Sequence, residues 1–92
     1  MNHVISAEQA KILMDKGAQL LDVRSELEFK QGAKPGALNI PLPKLPHNAK
    51  NMDTSKPVIV YCRTGGRSAQ AQMLLENMGF QNVHNAGSLN NL

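Results

Sequence analysis

Tryptophan is absent from this 92-residue chain, and there are only two phenylalanines and one tyrosine. With hydrophobic residues at 41%, a core can form, but it must be built from Leu, Ile, Val, Met and Ala. A single cysteine, Cys62, excludes an internal disulfide and a cysteine-based zinc site. No stretch approaches the roughly 20 apolar residues that span a bilayer. The opening Met1-Asn2-His3-Val4-Ile5-Ser6 lacks a basic start followed by an apolar run, so it does not read as a secretory signal. The expectation is a cytoplasmic protein with no membrane partner. Charge of one sign is not concentrated anywhere: ten Lys and Arg against seven Asp and Glu leave +3, spread along the chain. A basic face with stacking aromatics is missing, which argues against nucleic acid as a partner. A mild positive balance suits a small anionic substrate.

The length fits one domain over residues 1–92 and is too short for two. There is no internal repeat and no low-complexity tract. Ser6-Ala7-Glu8-Gln9 has the capping-box pattern and opens a helix whose Ala7, Ala10, Leu13 and Met14 share a face, with Gly17 as its stop. Leu20-Leu21-Asp22-Val23 reads as a buried strand. Ser25-Glu26-Leu27-Glu28 is a second capping box, opening a short helix that ends near Gly32. After the turn signal Lys34-Pro35-Gly36, Ala37 to Ile40 reads as another strand. Residues 41–57 hold four of the five prolines and read as loop, with one helical turn near His47 to Asn51. Val58-Ile59-Val60-Tyr61 is a continuous apolar run, as in a parallel strand buried on both faces. A helix follows, with Ala71, Leu74, Leu75 and Met78 on one face and Gly79 beyond its end. Asn82-Val83-His84 is a last short strand. Alternating strands and helices predict an α/β fold, a parallel sheet covered on both faces. Ligands of such sheets sit beyond the carboxyl ends of the strands, which is where Cys62 falls.

The segment Cys62-Arg63-Thr64-Gly65-Gly66-Arg67-Ser68 joins that central strand to the helix. The two glycines allow a tight curl that turns successive N–H groups inward. The following helix adds the positive end of its dipole, and Arg63 and Arg67 add cations. A thiol there should have a depressed pKa, and the same cradle should hold an anion. A lone cysteine at a strand end is more often an inert core thiol. The glycines, flanking arginines and immediate helix together favour a nucleophile.

The chain resembles the rhodanese family over nearly its whole length. Leu21-Asp22-Val23-Arg24 is similar to that family's Asp-Val-Arg segment. Glu28-Phe29, Gly32 and then Pro35-Gly36-Ala37-Leu38-Asn39-Ile40-Pro41 are similar to its Pro-Gly-Ala-x-Asn-Ile-Pro stretch. Val58 to Ser68 is similar to its active-site strand and loop, and Gly79-Phe80 with Val83 to the entry to its last strand. The resemblance implies a three-layer α/β/α rhodanese-like fold with a five-stranded parallel sheet. It also implies a thiosulfate sulfurtransferase that needs no cofactor or metal. Cys62 would take the outer sulfur of a donor such as thiosulfate as a persulfide and pass it to cyanide, a thiol or a sulfur-accepting protein. Carried over residue by residue, Cys62 is the nucleophile. The backbone of Arg63, Thr64, Gly65, Gly66, Arg67 and Ser68 is the substrate cradle, and Arg63 and Arg67 are its cations. Asp22 is expected to be structural, with Arg24 open between support and substrate contact. A persulfide carrier with little turnover of its own is the alternative.

Cysteine-dependent phosphatases place five residues between Cys and Arg. Here four, Arg63 to Gly66, separate Cys62 from Arg67, which disfavours a phosphate ester. The sequence also departs from the family. Ala33 and Lys34 stand where a His is common, and Asn85-Ala86-Gly87-Ser88 keeps one glycine of a usual pair. The usual closing helix with its Trp is absent, which should leave one pocket edge open. His3, His47 and His84 are scattered with no ligand spacing, and Lys44 is a candidate for positive field at the pocket rim.

Overall fold

Strand β1 (Gln19–Asp22) sits inside a parallel sheet of order β2-β1-β3-β4, with β2 at Leu38–Asn39, β3 at Val58–Cys62 and β4 at Val83–Ser88. The structure is a computed structural model and describes residues 3–92. Four helices accompany the strands: α1 (Ala7–Asp15), α2 (Glu26–Gln31), α3 (Leu45–Asn48) and α4 (Gly66–Asn77). Both capping boxes form, Ser6 with Gln9 and Ser25 with Glu28. The proline-rich segment is more ordered than its composition suggests: α3 lies between two short 3₁₀ turns, at Leu42–Lys44 and Ala49–Asn51.

Strand β3 explains why the sheet needs two covers. All five of its residues are buried, and its side chains alternate between faces. Val58, Val60 and Cys62 join a cluster with Leu45 and Ala49 from the α3 region and Ala71 and Leu75 from α4. Ile59 and Tyr61 join a second cluster with Ala10 of α1, Ile5 and Ala86, against which Leu13, Leu89 and Leu92 pack. The apolar face expected of α4 packs as a unit, with Leu74 and Met78 beside Ala71 and Leu75. The face expected of α1 does not. Ala10 is buried, but Met14 is 38% exposed. It borders an apolar hollow between α1, Pro35 and Leu92.

Among the described residues the sheet has four strands, not five. The N-terminal segment contributes one parallel bridge, Val4 to Asn85, supported by the Ile5 N–H donating to Asn85 O at 2.9 Å. Ser6 then caps α1 and turns the chain out of the sheet, so the pairing does not continue past Ile5. The last strand is longer than its apolar core suggests. Its register slips between Val60 and Tyr61, so that Val60 pairs with Asn85 and Tyr61 with Gly87. Ala86 is the extra residue of this β-bulge, and the Asn85 Oδ1 accepts from the Gly87 N–H at 2.8 Å.

Candidate active site

Cys62 is the last residue of β3, and its side chain has no exposed surface. The loop folds back over it. The Gly65 N–H donates to Cys62 Sγ at 2.9 Å and the Ser68 N–H at 3.4 Å. The thiol in turn lies 3.5 Å from Ser68 Oγ, as donor to it. Ser68 is itself buried, donates to Gly65 O at 3.0 Å, and lies 3.5 Å from Gly87 O on the bulged strand. Burial pushes the Cys62 pKa up, but the hydrogen bond shared with the Ser68 side chain and those from the Ser68, Gly65 and Thr64 N–H groups outweigh it. The thiol is held below its ordinary range. Sulfur therefore occupies the mouth of the N–H cradle at the start of α4, as the loop pattern anticipates.

The two glycines do different jobs. Gly65 has φ +105°, a conformation that side chains resist, and it aims its N–H at the sulfur. Gly66 has no positive φ and is the first residue of α4, with open space where a Cβ would stand. Only one of the pair is needed for the curl.

The two arginines of the loop also divide. Arg67 is held by Glu28 of α2 in a bidentate pair, Nη1 to Oε1 at 2.6 Å and Nη2 to Oε2 at 2.9 Å. This pair pushes the Glu28 pKa down to about 2. It also raises that of Arg67, to which the charges of Cys62 and Asp22 add smaller pushes. The guanidinium thus lends its field to Cys62 while its donors face Glu28. Arg63 is exposed and makes no hydrogen bond or ion pair among the described residues. Thr64 is exposed as well.

Asp22 and Arg24 form a buried clamp. Arg24 Nη2 lies 2.7 Å from Asp22 Oδ2, Nε reaches both carboxylate oxygens, and the Arg24 N–H donates to Oδ1 at 2.9 Å. The guanidinium lies 5.7 Å from the centroid of the Tyr61 ring and caps the end of α2 at Gly32 O, 2.7 Å away. Asn39 Nδ2 donates to both Asp22 O and Arg24 O, and Tyr61 Oη accepts from the Lys34 N–H at 3.1 Å. Asp22 is thus enclosed by Arg24 and has no exposed surface. Arg24 supports the segment after α2 and also lines the neighbouring cavity. Lys44 is paired with Glu26 at 3.1 Å in solvent.

That cavity, about 530 Å³, opens between α2, the Gly32–Lys34 segment, Arg63 and the Leu89–Asn90 turn. It lies at the carboxyl ends of β1 and β3, where parallel sheets take ligands. The sequence suggests no part in the site for Glu28, Lys34, Tyr61 or Gly87. Glu28 had a signal, since it stands in the capping box and next to Phe29. The other three act through backbone groups or contacts distant in the chain, which no local pattern reveals. Among the described residues no group of His, Cys, Asp and Glu could hold a metal ion.

Comparison with known proteins gives one consistent picture. Residues 6–90 match the family described as Rhodanese-like domain. The thiosulfate sulfurtransferase PspE of Escherichia coli is 36% identical over 74 residues, covering 78% of this chain and 71% of that protein. A mitochondrial protein of Schizosaccharomyces pombe is 39% identical over 84 residues, and this chain spans 59% of its length. Among solved structures, the human single-domain sulfurtransferase TSTD1 superposes with a TM-score of 0.83 at 30% identity, over 96% of this chain and 92% of that one.

Proposed function

This chain belongs to the rhodanese-like domain family of sulfurtransferases, and we propose that it moves sulfur from a thiosulfate-type donor to a thiophilic acceptor through a persulfide on Cys62. One observation carries this reading: the cradle of N–H groups at the start of α4 is filled by the Cys62 sulfur and favours its thiolate. The thiolate attacks the outer sulfur of thiosulfate. A new S–S bond forms to Sγ, the donor's S–S bond breaks, and its electron pair leaves with sulfite. A second nucleophile then takes the outer sulfur and restores the thiolate. No cofactor or metal is required. Because Cys62 has no exposed surface, donor sulfur reaches it only after the residues packed over it shift.

Thiosulfate and cyanide mixed with the protein should yield thiocyanate, and Cys62→Ser should abolish it. Undiminished thiocyanate from Cys62→Ser would overturn the mechanism. The complete burial of Cys62 favours a second reading, a domain that stores and delivers persulfide. Intact mass after thiosulfate treatment separates the two. A stable gain of one sulfur atom with negligible turnover supports the carrier.

A further inference from the structure

Asp22, Arg24, Ser68 and Asn85 are the buried polar residues among those described. Asp22 and Arg24 satisfy each other, and Ser68 lies against the Cys62 sulfur. Asn85 belongs to neither group. It is 1% exposed and pairs with Val60 inside the sheet, where a buried amide costs free energy unless it is hydrogen-bonded. Val60 and Val83 pack into the cluster under α4, and Asn85, two residues beyond Val83, faces the same way. Its Oδ1 takes the Gly87 N–H, a bond that spans the extra residue Ala86. From the other side, Asn91 Nδ2 donates to Ala86 O at 3.0 Å. The bulge is therefore pinned twice. What it carries is Gly87, at φ +73°, and Gly87 backs the cradle at two points. A Cβ on Gly65 would stand 3.7 Å from Gly87 Cα, so the bulge lies directly behind the residue whose N–H reaches sulfur. Gly87 O lies 3.5 Å from Ser68 Oγ.

We infer that Asn85 is a positioning residue for Cys62: by pinning the bulge at Ala86 it sets Gly87 against Gly65 and Ser68 and keeps their donors on the sulfur. Its catalytic consequence rests on the persulfide reading above. The amide touches neither sulfur nor substrate. Without the Oδ1 acceptor the buried Gly87 N–H loses its partner, and the bulge relaxes toward another one. The back of the cradle then shifts away from Gly65 and Ser68. Hydrogen bonds weaken steeply with distance and angle, and those to a charged group are the stronger ones. The thiolate therefore loses more than the thiol.

Two variants isolate the acceptor. Asn85→Ala and Asn85→Ser remove nearly the same volume, but only Ser keeps an oxygen on Cβ that accepts from the N–H two residues on. Ultraviolet thiolate absorbance of the full chain reads Cys62, the one cysteine, because burial holds the single tyrosine, Tyr61, above its ordinary range. Asn85→Ala should raise the midpoint, lowering the thiolate population about threefold at a pH below it, the scale of part of one hydrogen bond. The rising limb of kcat/KM for thiosulfate should move with it. Asn85→Ser should stay near the unmodified protein while losing as much urea stability as Asn85→Ala. Asn91→Ala, at an exposed position, releases the other pin and should move the midpoint the same way by less. Unmoved midpoints in both alanine variants, or equal shifts in Asn85→Ala and Asn85→Ser, would overturn the inference; equal shifts would make Asn85 a packing residue only. If Asn85→Ala is too unstable to titrate, an unmoved midpoint in Asn91→Ala overturns it. The titration uses no sulfur donor, so the two readings fail separately. A shifted midpoint with no persulfide from thiosulfate removes the sulfur-transfer reading and leaves Asn85 positioning the thiol. An unmoved midpoint with thiocyanate still formed does the reverse.

Discussion

Ser68 is the residue on which the reactivity of Cys62 most depends. Its hydroxyl is the largest of the influences that lower the thiol pKa, set against burial, which raises it. The thiolate form gains from the folded site, so kcat/KM for thiosulfate should rise with pH and level off below the ordinary cysteine range. Ser68→Ala should move that rising limb to higher pH. Gly65 O keeps a donor in the Ala69 N–H, so the variant should fold, and a limb that does not move would remove Ser68 from this role. Glu28 gives a second pH signature. Its folded pKa of about 2 lies below the ordinary value of about 4.3. The Glu28–Arg67 pair therefore contributes its full stability above that ordinary value and loses it as pH falls toward 2. The pair is partly exposed, so its worth is about 1 kcal/mol. Urea midpoints of the unmodified protein and Glu28→Gln should differ at neutral pH and converge as pH drops below 4.3. The sequence marks the loop from Cys62 to Ser68, with Ser68 entering only through its backbone and not through its hydroxyl. The Glu28–Arg67 pair is hidden from it because the partners lie 39 positions apart, and a pairing at that distance leaves no local period.

The loop and the helix it opens behave as one element. Gly65→Ala puts a side chain at φ +105°, at a cost of about 1–2 kcal/mol. It also disturbs the N–H aimed at sulfur, so both stability and thiosulfate turnover should fall. Gly66→Ala meets open space and removes chain entropy from the unfolded state. It should be neutral or stabilising by up to about 1 kcal/mol, with turnover kept. Thermal unfolding of the two variants checks this, and equal losses would contradict the division of roles. The Gly-Gly pair is visible in the sequence, but which glycine bends the chain is not, because φ depends on where α4 starts. Strand and helix positions were largely readable from periodicity and caps. The shortfall in the fifth strand was not, because Ser6 both ends the pairing and starts α1. The bulge at Ala86 was not either, since a register slip has no composition.

At the scale of the molecule, β3 supplies both layers, so each cluster steadies the strand that carries Cys62. Leu75, fully buried in the α4 layer, should cost about 3 kcal/mol on change to Ala. For a domain of this size that lowers Tm by more than about 10 °C. A Tm change of only a degree or two would mean that α4 is not held by its core. The aliphatic core and the two-sided sheet were both legible in a composition without Trp. The depth of Cys62 was less so: a strand-end position does not say whether the loop closes over it. That closure has a chemical consequence. An exposed thiolate is spoiled by peroxide, by alkylators and by stray disulfides. This one, with no surface of its own, stays chemically quiet until the loop parts. The resting protein should therefore keep well in air, and the pace of loop opening should set a ceiling on how fast it is charged.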